Sequence, residues 1–129
     1  MPPPFTVLIC DDDPEIRVAM RRTLQHYTVY EAKDPKEALE TLKEHSFAAI
    51  VSDFSLNADN DGLELLQMVR LLYPDLVRFM VTGTRDLEVA MRAVNEGSVD
   101  RFFLKPWDDF KLLSALELLL HSRHFAQPA

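Results

Sequence analysis

Short apolar runs alternate with amphipathic stretches along the chain, and the alternation repeats five times. The runs are Phe5–Cys10, Thr28–Ala32, Ala48–Ser52, Val77–Val81 and Arg101–Leu104. Most are apolar without interruption, the pattern of strands covered on both faces. Thr28–Ala32 (TVYEA) is the most polar and suits a sheet edge. Between the runs lie helix patterns. Ile16, Ala19, Met20, Thr23 and Leu24 share one helical face, with Asp13-Pro14 as N-cap and first-turn proline. Asp34-Pro35 repeats that start, with Glu37 placed for a capping box. A third helix begins near Gly62, buries Leu65, Leu66 and Val69, and stops before Pro74. A fourth runs from about Asp86 to Gly97. A fifth, opened by Asp108 or Asp109, buries Leu112, Leu113, Leu116, Leu119 and Leu120. Five strands alternating with five helices predict one α/β domain with a parallel sheet and right-handed crossovers. The apolar pattern is lost in HSRHFAQPA, so the domain is expected over residues 1–125, with 126–129 a disordered tail or truncation point.

Composition narrows the class. With 129 residues, 47% hydrophobic and 27% charged, the chain is the size of one domain with a substantial core. A net charge of −7 argues against direct binding of nucleic acid or of an anionic membrane surface. No apolar run approaches the roughly 18 residues of a membrane span, and MPPPF lacks a signal peptide's apolar region. A cytoplasmic domain is the expectation. The lone cysteine, Cys10, sits inside VLIC and reads as a small buried hydrophobe. His26, His45, His121 and His124 show no metal-ligand spacing and read as surface residues, while Trp107 reads as the anchor of the last helix.

The chemistry collects at the strand ends. Asp11, Asp12 and Asp13 follow the first run, Asp53 the third, Thr82 and Gly83 the fourth, and Lys105 and Pro106 the fifth. In an open parallel α/β sheet those ends face one crevice, where ligands bind. Asp13 precedes Pro14 at a helix start and reads as an N-cap. Asp11, Asp12 and Asp53 are hard oxygen donors that repel one another without a cation, and Mg²⁺ suits such a set while leaving positions for phosphate oxygens. Lys105 and the Thr82 hydroxyl suit the equatorial oxygens of a phosphoryl group, and Gly83 keeps the approach open. No side chain is poised as a base for water, so the natural acceptor of a phosphoryl group is a carboxylate, and Asp53 is the central one.

VLICDDDPEIR, IVSDFSL…DGLELL, VTGTRD and FFLKPW together resemble the receiver domain of two-component response regulators over nearly the whole chain. That resemblance implies a doubly wound (βα)₅ domain of flavodoxin-like order 2-1-3-4-5. It also implies a phosphorylation-dependent signalling switch, not an enzyme with an external substrate, which promotes its own phosphorylation and dephosphorylation. Asp53 would take its phosphoryl group from a partner histidine kinase or phosphotransfer protein. Mg²⁺ would be held by Asp12, Asp53 and the Ser55 carbonyl, with Asp11 acting through water. Lys105, ahead of a cis bond to Pro106, would contact the phosphoryl group. Thr82 and Phe102 would be the switch pair, coupling the crevice to the face formed by the fourth helix, fifth strand and fifth helix. That face would read out to an output domain, a separate effector or a second copy of the chain. AVNEGSVDRFFLKPW is similar to receivers attached to HD-GYP phosphodiesterases or to certain transcriptional activators. Kinase, pathway and output are not legible.

Two departures from the family pattern lie together. Asn57 stands where most receivers have proline, and one extra residue separates Asp53 from Asp61-Gly62. NADNDG also resembles the start of a calcium loop, but with Gly62 at the glycine position the required glutamate is Met68 and the first ligand is neutral Asn57. Asp59-Asn60-Asp61-Gly62 matches the D-x-D-G of haloacid-dehalogenase phosphohydrolases but follows a loop, not a strand. Asn57–Asn60 is therefore expected to be an enlarged, locally hydrogen-bonded turn beside the acceptor.

Overall fold

The computed structural model describes residues 5–54, 61–83 and 86–124, the side chain of His124 excepted. The strands are β1 (Thr6–Cys10), β2 (Thr28–Ala32), β3 (Ala49–Asp53), β4 (Val77–Thr82) and β5 (Arg101–Leu104). They alternate with α1 (Pro14–Thr23), α2 (Pro35–Glu44), α3 (Asp61–Leu72), α4 (Leu87–Asn95) and α5 (Asp109–His124). All neighbouring strands pair in parallel, in the order β2-β1-β3-β4-β5, so the expected doubly wound topology is present and the polar TVYEA strand lies at an edge.

The uninterrupted apolar runs have a simple cause: successive side chains point to opposite faces, and both faces are covered. Leu8, Ile50 and Met80 pack with Leu65, Leu66, Val69, Ala90 and Ala93, beneath α2, α3 and α4. Their chain neighbours Val7, Ile9, Val51, Phe79 and Val81 pack with Met20, Leu24, Leu112, Leu116 and Leu120 of the α1–α5 layer. Every one of these residues is buried. Cys10 is fully buried, and burial pushes its thiol far above the ordinary range, as expected of an inert core residue.

The caps follow the sequence closely. Asp13 accepts from the Glu15 amide at 2.9 Å, Asp34 from Glu37 at 2.8 Å and Asp108 from Lys111 at 3.0 Å. Glu37 reaches back to the Lys33 amide at 3.2 Å, one residue before the position a capping box requires. Gly97 has φ +80°, Ser98 N–H donates to the Ala93 carbonyl at 3.0 Å, and Gly97 N–H donates to Val94 at 3.0 Å. This is a Schellman ending for α4. Where the apolar pattern is lost, at HSRH, the last helix continues to His124, held by Arg123, which pairs with Asp100 and donates to the Leu76 carbonyl at 3.3 Å. A polar tether extends this helix, so apolar periodicity missed it.

Candidate functional site

The carboxyl ends of β1, β3, β4 and β5 bring Asp11, Asp53, Thr82 and Lys105 to one side of the sheet. Asp53 occupies the last ladder position of β3, opposite Val81, one residue further into the strand than expected. Carboxylate oxygens of Asp11, Asp12 and Asp53 lie within 4.8 Å of one another. Lys105 Nζ sits 3.1 Å from Asp53 Oδ1 and 3.3 Å from Asp11 Oδ2. Asp11 is buried and Asp12 is exposed. The Lys105–Pro106 bond is cis, and the Lys105 amide donates to the Thr82 carbonyl at 2.8 Å.

The electrostatics follow from crowding. Burial, reinforced by Asp11, pushes Asp53 up from 3.8 to about 6 against the pull of Lys105. Burial also raises Asp11, opposed by the Asp13 amide and by Lys105. Burial alone would lower Lys105, but Asp53 and Asp11 outweigh it and raise the ammonium instead. Two carboxylates share one ammonium and a third, that of Asp12, lies beside them, an arrangement that favours an added cation. The donor set is all oxygen and partly open, which fits a small hard divalent ion.

Thr82 is buried, and its hydroxyl is engaged away from the acidic trio. It lies 3.3 Å from Asp86 Oδ2, at the entry to α4, and 3.4 Å from the Gly83 carbonyl. Among the described residues nothing stands within 4 Å of where a Cβ on Gly83 would lie, so none of them closes the approach there. Phe102 pairs with Met80 across the ladder and packs, half-buried, against the α2–α4 core. Asp13 is an N-cap, as expected. Ser55 and the loop Asn57–Asn60 lie outside the described residues.

Three supports were not read from the sequence. A Cβ on Gly62 would stand 1.8 Å from the Asp53 carbonyl oxygen and 2.5 Å from that of Phe54, so α3 starts directly against the end of β3. The Gly62 amide donates to the Phe54 carbonyl at 2.9 Å. The DG pair marked a helix start, but nothing local announced this close approach. Trp107 anchors the last helix as expected, but through a partner the sequence did not show: its Nε1 donates to Thr23 Oγ1 at 2.9 Å, which lies 2.7 Å from Asp109 Oδ1, tying the Lys105 loop to α1 and α5. Arg17 donates to the Asp11 carbonyl at 2.7 Å.

The doubly wound sheet thus gathers an acidic trio, a lysine and a threonine at one carboxyl edge, the donor set of an α/β domain with a single polar crevice. The chain belongs to the response regulator receiver domain family, which matches residues 7–117, and it is thus a receiver-type signalling switch controlled by phosphorylation. It is 33% identical over 112 residues to the C4-dicarboxylate transport transcriptional regulatory protein DctD of Rhizobium meliloti, covering 85% of this chain and 24% of DctD. It is 30% identical over 125 residues to the DNA-binding transcriptional regulator NtrC of Proteus hauseri, covering 95% of this chain and 26% of NtrC. The chain thus spans about a quarter of these relatives. Among solved structures, the signal receiver domain of an HD domain-containing protein from Pseudomonas fluorescens Pf-5 superposes with TM-score 0.86 at 32% identity, covering 96% of this chain and 92% of that one. Neither a calcium-loop protein nor a phosphohydrolase finds support in these similarities. Among the described residues no helix is long and apolar enough to cross a membrane.

Proposed function

We propose that Asp53 is the phosphoacceptor. The observation that carries this reading is the position of its carboxylate, at the centre of the strand ends, 3.1 Å from Lys105 and beside two further carboxylates. The donor is a phosphohistidine on a histidine kinase or phosphotransfer protein. An Asp53 oxygen attacks phosphorus, the P–N bond breaks with its electron pair left on the imidazole, and an acyl phosphate forms. Lys105 changes partner from the Asp53 carboxylate to the transferred group. Asp12, Asp53 and the Ser55 carbonyl, with Asp11 acting through water, would hold Mg²⁺, which when bound offsets the negative charge brought together in the crevice. Return to the resting state is attack of water on the same phosphorus, which restores the carboxylate and releases inorganic phosphate.

The switch runs through Thr82. To reach a phosphoryl oxygen its hydroxyl must leave Asp86, which changes the contacts at the entry of α4, while Phe102 moves into the vacated space. The readout surface is then α4, β5 and α5, where Leu87, Met91, Leu104 and Leu118 are exposed. Its occupant is an output domain, a separate effector or a second copy. We place the functional unit within residues 1–125 of a cytoplasmic protein. Incubation with acetyl phosphate and Mg²⁺ tests the class: a switch takes up one phosphoryl group per chain. Sustained hydrolysis of an added phosphomonoester would contradict it. Thr82→Ala should retain labelling but lose any phosphorylation-induced change in α4 amide shifts.

A further inference from the structure

The acidic loop that follows β1 is braced from outside the crevice by a pair of charges the phosphotransfer chemistry does not use. Arg17, on α1, donates from Nη1 to the backbone carbonyl of Asp11 at 2.7 Å and from Nε to Glu31 Oε1 of β2 at 3.1 Å. The other oxygen of Glu31 accepts from Arg21 Nε at 2.7 Å, so Glu31 is fixed between two guanidinium groups. The Asp11 amide donates to the Ala32 carbonyl at 3.1 Å. Both hydrogen-bonding groups of Asp11's backbone are therefore held, one by the neighbouring strand and one by Arg17. The carbonyl that Arg17 holds belongs to the peptide leading into Asp12. Asp12 is exposed, so its direction depends on the plane of that peptide.

We propose that Arg17 is a positioning residue for the divalent cation, aligning Asp11 and Asp12 through the Asp11–Asp12 peptide. The proposal rests on reading the acidic trio as the cation site. A guanidinium suits the task because its planar fork serves a carbonyl and a carboxylate together, which an ammonium does less well. Two effects of removing Arg17 have opposite signs. By charge alone, loss of a nearby cation makes the crevice more negative and tightens divalent binding. By positioning, the acidic loop loses its brace and binding weakens, as when outer-shell partners of metal ligands are removed.

The sign is measurable. Mn²⁺ binding to the full chain, followed by loss of the free-ion electron paramagnetic resonance signal, should weaken roughly tenfold in Arg17→Met, at the low end of outer-shell losses. Arg17→Lys, which keeps the charge but not the fork, should fall between the two. Thermal unfolding in EDTA separates a merely structural role, which would lower the melting temperature and leave the affinity of folded protein unmoved. Unchanged or tighter Mn²⁺ binding by folded Arg17→Met overturns the proposal; should that variant not fold, Arg17→Lys with unchanged or tighter binding does the same. Failure of the unsubstituted chain to bind Mn²⁺ would overturn the cation-site reading itself, and this inference with it.

Discussion

Asp53 is held in a state that costs stability until a cation or proton arrives. Its folded pKa is raised from 3.8 to about 6, so the folded chain binds this proton more tightly than the unfolded one. Stability from this group is therefore fully present at low pH and is lost as pH rises from about 4 through about 6. Asp53→Asn removes the penalty but also one partner of Lys105, which offsets part of the gain. The metal-free variant should be more stable than the parent by about 1–2 kcal/mol at pH 7, with no gain near pH 4. Urea unfolding in EDTA at the two pH values checks this; a less stable variant at pH 7 would mean that the Lys105 pair dominates. Such a cost at Asp53 is the usual sign of a site arranged for chemistry rather than for stability.

Among the elements, α3 and α4 are set by glycines with different physical reasons. Gly62 is required by space, since a Cβ would meet the Asp53 and Phe54 carbonyls, whereas Gly97 is required by its positive φ. Gly62→Ala should cost about 2–3 kcal/mol through overpacking. Gly97→Ala should cost about 1–2 kcal/mol through backbone strain, with no effect on the crevice. Only the first should also slow phosphoryl uptake, because α3 would be pushed off β3 beside Asp53; equal uptake by both variants would contradict this. The helices and strands were legible because their cause is local. Asp-Pro starts and the Gly97 stop appear in sequence as they do in space, and uninterrupted apolar runs meant double-sided burial. What was not legible depends on contacts between distant segments: the Gly62 approach, the Thr23–Trp107–Asp109 link, and the Arg123 tether that carries α5 to His124. The strand-end residues could be placed in one crevice because the topology itself converges them. The engagement of Thr82 with Asp86 could not, since it depends on a rotamer.

At the scale of the molecule, chemistry and anchoring lie at opposite ends of the sheet. The carboxyl ends carry the acidic trio, Lys105 and Thr82. The opposite ends of β4 and β5 carry buried Arg78, which donates to the Ser98 carbonyl at 3.0 Å and to that of Leu76 at 3.1 Å, with Asp100 bridging to Arg123. Burial pulls Arg78 below its ordinary range, against the support of Asp100. Arg123→Ala should cost about 2 kcal/mol, below the usual loss for breaking a fully buried pair because this one is partly exposed. It should speed amide exchange in the last turns of α5 and leave phosphoryl uptake unchanged, so the far end anchors α5 without entering the chemistry.

The central claim is that one carboxylate among four neighbouring aspartates accepts the phosphoryl group. The most direct measurement is phosphorylation with acetyl phosphate and Mg²⁺, borohydride reduction of the acyl phosphate, and peptide mass spectrometry to locate the reduced residue. The account requires reduction at position 53 alone and none in Asp53→Asn. Reduction at Asp11, Asp12 or Asp13, or undiminished labelling of that variant, would contradict it.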